Sequence, residues 1–132
     1  MAKTIQVYEL ADAITEMLSE YNEAVTEESK KVVDEISQEV NQEILNHITF
    51  KDHHRYTNAF EIKTTFENTR NKRNTWHVKS PHYRLTHLLE YGHYTRNGTT
   101  RTREFPHIRY GEEYLQNNFE RKMKEGIEKC RI

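Results

Sequence analysis

Eight histidines stand among 21 acidic and 20 basic side chains in 132 residues, and imidazoles beside carboxylates are the usual material of metal sites and acid–base catalysis. The most suggestive run is His87-Leu-Leu-Glu90-Tyr-Gly-His93. On a helix His87 and Glu90 share a face, but His93 falls six residues on, about 240° round the axis, and beyond Gly92, a residue suited to ending the helix. The spacing argues against a zinc site. The plainer expectation is that Glu90 and one histidine make hydrogen bonds at the helix end, with Tyr91 and His93 flanking a subunit contact.

His53, His54 and His107 could serve as general bases, yet no serine, cysteine or carboxylate pair stands in a nucleophilic arrangement around them. The glycines Gly92, Gly98, Gly111 and Gly126 are scattered singly, so no Gly-rich phosphate loop exists. Cys130 is the single cysteine and has no intramolecular disulfide partner, which fits a reducing cytoplasm and an incidental thiol. No catalytic residue, metal or cofactor is therefore expected. Two basic stretches, Arg70–Arg73 and Arg96–Arg103, are interleaved with Thr and Asn and have no aromatic stacking platform. They read first as solvated loops, with Arg70, Lys72 and Arg73 as candidates for nucleic-acid phosphate contact.

The elements that would position these groups follow from periodicity. From Val7 to Ile48 apolar residues recur at three- and four-residue steps (Leu10, Ile14, Met17, Tyr21, Val25, then Val32, Ile36, Val40, Ile44, Ile48) with no proline or glycine between. This predicts one very long helix, bent near Thr26–Lys30, with a narrow stripe lying across a sheet or a neighbouring subunit; a coiled coil is the competing reading. The period then changes to two over Phe60–Phe66 and Trp76–Val78, predicting half-buried strands joined by a solvated connection over Glu67–Asn74. Ser80-Pro81 reads as a helix start, with Ser80 as cap, for a short helix Pro81–Tyr91 that buries Leu85, Leu88 and Leu89 against Trp76 and Phe66 and ends at Gly92. Asn97-Gly98 signals a hairpin within His93–Glu104, a segment expected to be mobile until assembly. Phe105–Ile108 is extended, and an amphipathic last helix, Tyr110–Lys129, carries Leu115, Phe119, Met123 and Ile127 at four-residue steps.

The length suits one domain, residues 1–132, of α+β class: a long N-terminal and a C-terminal helix on a small, mainly antiparallel sheet, with a short helix and a long hairpin loop. Only 34% of residues are apolar and mean hydropathy is −1.04, which favours an elongated or oligomeric protein. No apolar run approaches a bilayer span and the first residues show no signal pattern, so the reading expects a protein that stays in the cell that makes it. Charge is polarised. Residues 1–50 hold three lysines against eleven acids, a net of −8, and the remainder holds the compensating +7. An acidic face and a basic one on the same chain allow self-association, and the basic part could meet nucleic acid.

The segment Tyr83-Arg-Leu-Thr-His-Leu-Leu-Glu-Tyr-Gly-His93, the Asn-Gly loop, Pro106-His107-Ile108 and the final amphipathic helix resemble the tail-completion, or head–tail joining, neck proteins of tailed phages, over about residues 74–122. One departure is at His53-His54-Arg55-Tyr56-Thr57-Asn58-Ala59-Phe60, where the family commonly has Ser-Pro then Thr-x-Gly; Asn58 could take the glycine's place. The resemblance implies a virion protein without enzymatic activity, its subunits in a ring, taken as six, between the head-closure protein of the connector and the tail terminator or tail tube. Candidate partner contacts are then Glu90, Tyr91, His93, Tyr94, Arg96, Arg101, Arg103 and His107. The competing class is a small nuclease or toxin using His53, His54, Arg55 and Arg73 on nucleic acid.

Overall fold

The computed structural model describes residues 7–130. They form helix α1 (Val7–Asn46), a one-turn helix α2 (His54–Thr57), strands β1 (Phe60–Glu67) and β2 (Lys72–Val78), a 3-10 turn (His82–Arg84), α3 (Leu85–Tyr91) and α4 (Ile108–Glu128). This is a mixed α+β fold, mostly helical, and the sheet is a single antiparallel hairpin.

At 40 residues α1 spans about 60 Å. It passes through Thr26–Lys30 without a break in the helix. Its C-terminal half runs antiparallel to α4, because Gly111 at the start of α4 faces Ile44 and Val40 while Gly126 near its end faces Val32 and Glu28. Those two glycines let the backbones close in: a Cβ on Gly111 would lie 2.5 Å from Ile44 Cγ1, and one on Gly126 2.8 Å from Val32 Cγ2. Val32, Ile36 and Ile44 are buried in this seam, and His47 stacks on Tyr110 at its end, 3.8 Å between ring centroids.

Alternate residues of β2 face α1. Lys72 Nζ donates to Asp34, Asn74 Nδ2 to Asp34 (3.0 Å) and Ser37 (3.1 Å), and Trp76 Nε1 to Asn41 (2.9 Å). Val78, next in the series, is buried in a second cluster with Tyr56 and Ala59, packed round by Phe50, Phe60, Trp76 and Leu89. Asn68 closes the hairpin as a four-residue turn, its Oδ1 accepting from the N–H groups of Arg70 and Asn71. The connection is shorter than the predicted Glu67–Asn74, because Lys72 and Asn74 have partners on α1 that the strand sequence alone does not reveal.

Three other expectations need correcting. Leu85 and Leu88 are each 40% exposed; of that stripe Leu89 alone packs on the cluster, and Phe66, 43% exposed, is not its partner. Ser80 caps nothing: the Ser80-Pro81 peptide is cis, His82–Arg84 is 3-10, and the α-helix begins only at Leu85. On α4 Leu115 and Phe119 stay more than a third exposed, since the glycines and not this stripe make the closest approach to α1. Gly92 does end α3 with positive φ, +71°, and a Cβ there would meet the Thr102 carbonyl oxygen at 2.8 Å. No described helix is long and apolar enough to cross a membrane.

Candidate assembly surface

Helix α4 begins at Ile108, and His107 before it supplies no side-chain cap, so its first N–H groups need an acceptor from elsewhere. Glu90, seventeen residues upstream at the end of α3, provides it. One carboxylate oxygen accepts from the N–H groups of His107 (2.8 Å) and Ile108 (3.0 Å); the other accepts from the N–H and Nε of Arg109, both at 3.1 Å. The Arg109 guanidinium also donates to the Glu90 carbonyl, 3.3 Å. Burial pushes the Glu90 carboxyl up, but these charge-assisted bonds outweigh it and hold the group below the ordinary carboxylate range.

His107 completes the junction and is fully buried. Its Nδ1 lies 2.8 Å from the Phe105 carbonyl, which can only accept, so in the neutral ring Nδ1 carries the hydrogen and Nε2 accepts from the Tyr56 hydroxyl at 2.8 Å. Burial raises the Tyr56 phenol above its usual pKa. Glu90 thus meets a histidine, but it is His107 at the start of α4 and neither histidine of the His87–His93 run; the His93 ring lies 3.1 Å from the Thr102 hydroxyl instead. As surface contacts, however, Glu90 and His107 are excluded: both are buried and committed to joining α3, α4 and the Tyr56 cluster.

The other candidates in this region do lie on the outside. Tyr91 and Tyr94 are 60% and 61% exposed, and His93, Arg96, Arg101 and Arg103 are exposed as well. Arg101 ties them together, its guanidinium 4.8 Å over the Tyr94 ring and donating to the Tyr91 carbonyl. The segment is a hairpin held by one bridge, Tyr94 to Arg101, with Thr95 N–H donating to the Thr100 carbonyl, Thr102 N–H to that of His93, and Asn97-Gly98 at the turn. Beside it Tyr83, Leu85 and Leu88 are also exposed. Aliphatic, aromatic and arginine side chains thus share one uncovered surface, a composition suited to protein contact.

The proposed nucleic-acid contacts divide. Arg70 is exposed at the β1–β2 turn, and Arg73 sits 5.6 Å over the Phe66 ring. Lys72 is spoken for: its ammonium is 2.8 Å from Asp34, whose carboxyl it holds below the usual range. His53, His54 and Arg55 precede the Phe60 end of the hairpin, whereas Arg73 pairs with Phe66 at the other, roughly 20 Å along the strand. The fold does not gather these four into one site. Among the described residues no three His, Cys, Asp or Glu side chains are grouped to hold a metal ion.

A second uncovered surface lies on the N-terminal half of α1. Leu10, Ile14 and Met17, in the stripe expected to lie across a sheet or a neighbouring subunit, and Leu18 beside them are 47–50% exposed there. The available signal was length: the 21 residues of α4 match barely half of α1. No family model, curated protein or solved structure matches the chain.

Proposed function

We propose that the protein is a structural component of the neck of a tailed phage, joining the DNA-filled head to the tail by assembly and not by catalysis. The observation that carries the reading is that one chain holds two uncovered apolar surfaces of opposite charge, the acidic N-terminal half of α1 and the arginine-bearing face of α3 and its hairpin. Contiguous apolar surface of this kind belongs to contacts with other proteins. The resemblance of residues 74–122 to tail-completion proteins supplies the setting. The Glu90 junction agrees with it in kind, since the acidic-aromatic-glycine and Pro-His-Ile segments that carry the resemblance meet there as architecture.

On this reading the subunits form a ring, taken as six, in the virion neck after assembly in the host cytoplasm. Its neighbours are the head-closure protein on one side and the tail terminator or tail tube on the other. DNA passes through the lumen, where Arg70 and Arg73 are the available cations. The test is complementation of a phage lacking the gene by a variant in which glycine replaces Arg96–Arg103 as a tight turn. Filled heads and unattached tails should accumulate in electron micrographs. Normal titre with intact particles would remove the hairpin from the attachment surface. Chelator-sensitive degradation of nucleic acid by the purified protein would favour the nuclease reading instead.

A further inference from the structure

The two uncovered surfaces are made for each other and cannot meet within one chain. Along α1 the apolar stripe of Leu10, Ile14, Met17 and Leu18 has Glu20 nearest one edge, past Ala13 and Ala24, with Asp12, Glu16 and Glu23 farther round on the opposite side of the helix; at its other edge stand the neutral Thr15, Ser19 and Asn22. No lysine or arginine occurs between Lys3 and Lys30. The face of α3 is its complement: Leu85, Leu88, Tyr91 and Tyr94 are apolar and exposed, and Arg96, Arg101 and Arg103 are carried by the hairpin that follows. Glu90 at the end of α3 is buried and neutralised by Arg109, and Glu104, exposed beside Gly92, is the one acid of the hairpin segment against its three arginines.

Geometry places the surfaces apart. Glu90 fixes the end of α3 to the start of α4, and Gly111 seats that start of α4 beside Ile44 of α1. Met17 is 27 residues before Ile44 on a continuous helix, about 40 Å away. A seven-residue α3 of about 10 Å and a short hairpin do not bridge that gap.

We propose that the N-terminal half of α1 docks on the Leu85–Leu88–Tyr91–Tyr94 face of a second copy of this chain, with Glu20 at the stripe's edge toward the arginines of that copy's hairpin and the remaining acids of the arm adding to its negative field. Two different surfaces in mutual contact either exchange reciprocally, which closes a two-fold dimer, or repeat head to tail, which gives a ring or a filament. The inference deepens the assembly reading and rests on it. Its test reads self-association alone, so it can fail while the neck assignment stands, and the phage test can fail while it stands.

The experiment is sedimentation of the full chain up to about 1 mM, with two variants: Ile14→Asp/Met17→Asp in the arm and Leu88→Asp/Tyr91→Asp in the face. All four positions are at least 40% exposed, so each variant should fold, as judged by circular dichroism. Wild type should self-associate, as a reciprocal dimer or as larger head-to-tail species. Each variant alone should be monomeric, with association weakened at least about a hundredfold. An equimolar mixture should form a heterodimer and stop there, since only one intact arm and one intact face remain between the two. Three results overturn the proposal: a monomeric wild type, a monomeric mixture, or a face variant that associates like wild type, which would put the arm against another arm or against the exposed Leu115 and Phe119 of α4. If either variant misfolds, the single reversals Glu20→Arg and Arg101→Glu replace them, each weakening association at least about tenfold and together restoring it.

Discussion

The two halves of α1 have the same apolar period and the same acidic character, yet one is core and the other is not. From Glu28 to Asn46 the stripe is roofed by α4 and β2, and Val32, Ile36 and Ile44 are buried. From Leu10 to Leu18 it has no roof, because α4 has reached Glu128 by the level of Glu28. Charge follows the same division. In the packed half Glu28 pairs with Lys129, Asp34 with Lys72 and Glu39 with Lys122. Among the described residues Asp12, Glu16, Glu20 and Glu23 form no ion pair. An amphipathic period thus identifies the face that wants cover without saying whether cover comes from the same chain.

The largest effect should come from the packed half. Ile44→Ala removes a fully buried side chain wedged against Gly111 and should lower unfolding free energy by about 2–5 kcal/mol in urea titrations of dilute protein. A loss below about 1 kcal/mol would abolish the contrast, since the packed half would then be no more committed than the arm.

The second test asks whether that packing depends on the start of α4 being held. Glu90→Gln keeps the shape but loses the charge and replaces one acceptor oxygen with a donor NH2, so the N–H groups on that oxygen lose their acceptor and Arg109 is uncompensated; about 1–3 kcal/mol should be lost at neutral pH. The pH dependence has a definite sign. The folded-state pKa of Glu90 lies below its unfolded value of 4.5, so its contribution is fully present above pH 4.5 and disappears as pH falls through the lower folded value. Melting temperature should therefore drop below pH 4.5 in the wild type and drop less steeply in Glu90→Gln. Asp34, also lowered, by hydrogen bonds from Lys72 and Asn74, accounts for part of the remaining slope. Identical slopes in the two proteins would mean that Glu90 is not the clamp.

How much of this was legible depended on whether the signal was local. The extent of α1, the existence of β1, the Gly92 stop and the Asn97-Gly98 turn are all written in neighbouring residues, and each is where the pattern puts it; the burial alternation holds along β2 but not along β1, which is exposed from Lys63 to Glu67 and shifts register between Thr64 and Phe66. Partners remote in sequence were not legible. Nothing near Lys72 announces Asp34, and nothing near Ile108 announces Glu90. Gly111 and Gly126 were read only as the absence of a phosphate loop; fifteen residues apart on one helix, they mark a side pressed against another backbone. The leucines of α3 show the converse error. Periodicity gives Leu85, Leu88 and Leu89 one apolar face, but α3 has only seven residues and the cluster beneath it has room for Leu89.

A smaller effect tests whether ion pairs or burial separate the two halves. Lys72→Ala breaks its contact with Asp34, but Asp34 is half exposed and its charge is readily solvated, so the loss should stay within about 1 kcal/mol. A loss comparable to that of Ile44→Ala would make the cross-links to β2, and not the apolar seam, the reason the C-terminal half is ordered.

The smallest effect expected is the most informative about the arm. Ile14 belongs to the same stripe as Ile44 and carries the same side chain, so comparing the two isoleucine-to-alanine changes holds chemistry constant and varies only cover. At 48% exposure Ile14 has little surface left to lose, and at low micromolar concentration Ile14→Ala should change unfolding free energy by no more than about 0.5 kcal/mol. Raising the protein concentration should separate the variant from wild type. Association stabilises whatever is folded in proportion to the logarithm of partner concentration over dissociation constant, so the wild-type melting temperature should climb with concentration and that of Ile14→Ala should climb less. The effect of Ile44→Ala should not grow in this way, because its contacts are already made within the chain. If Ile14→Ala destabilises the dilute protein by 2 kcal/mol or more, the arm is packed within its own subunit, and the division of α1 into a covered and an uncovered half is wrong.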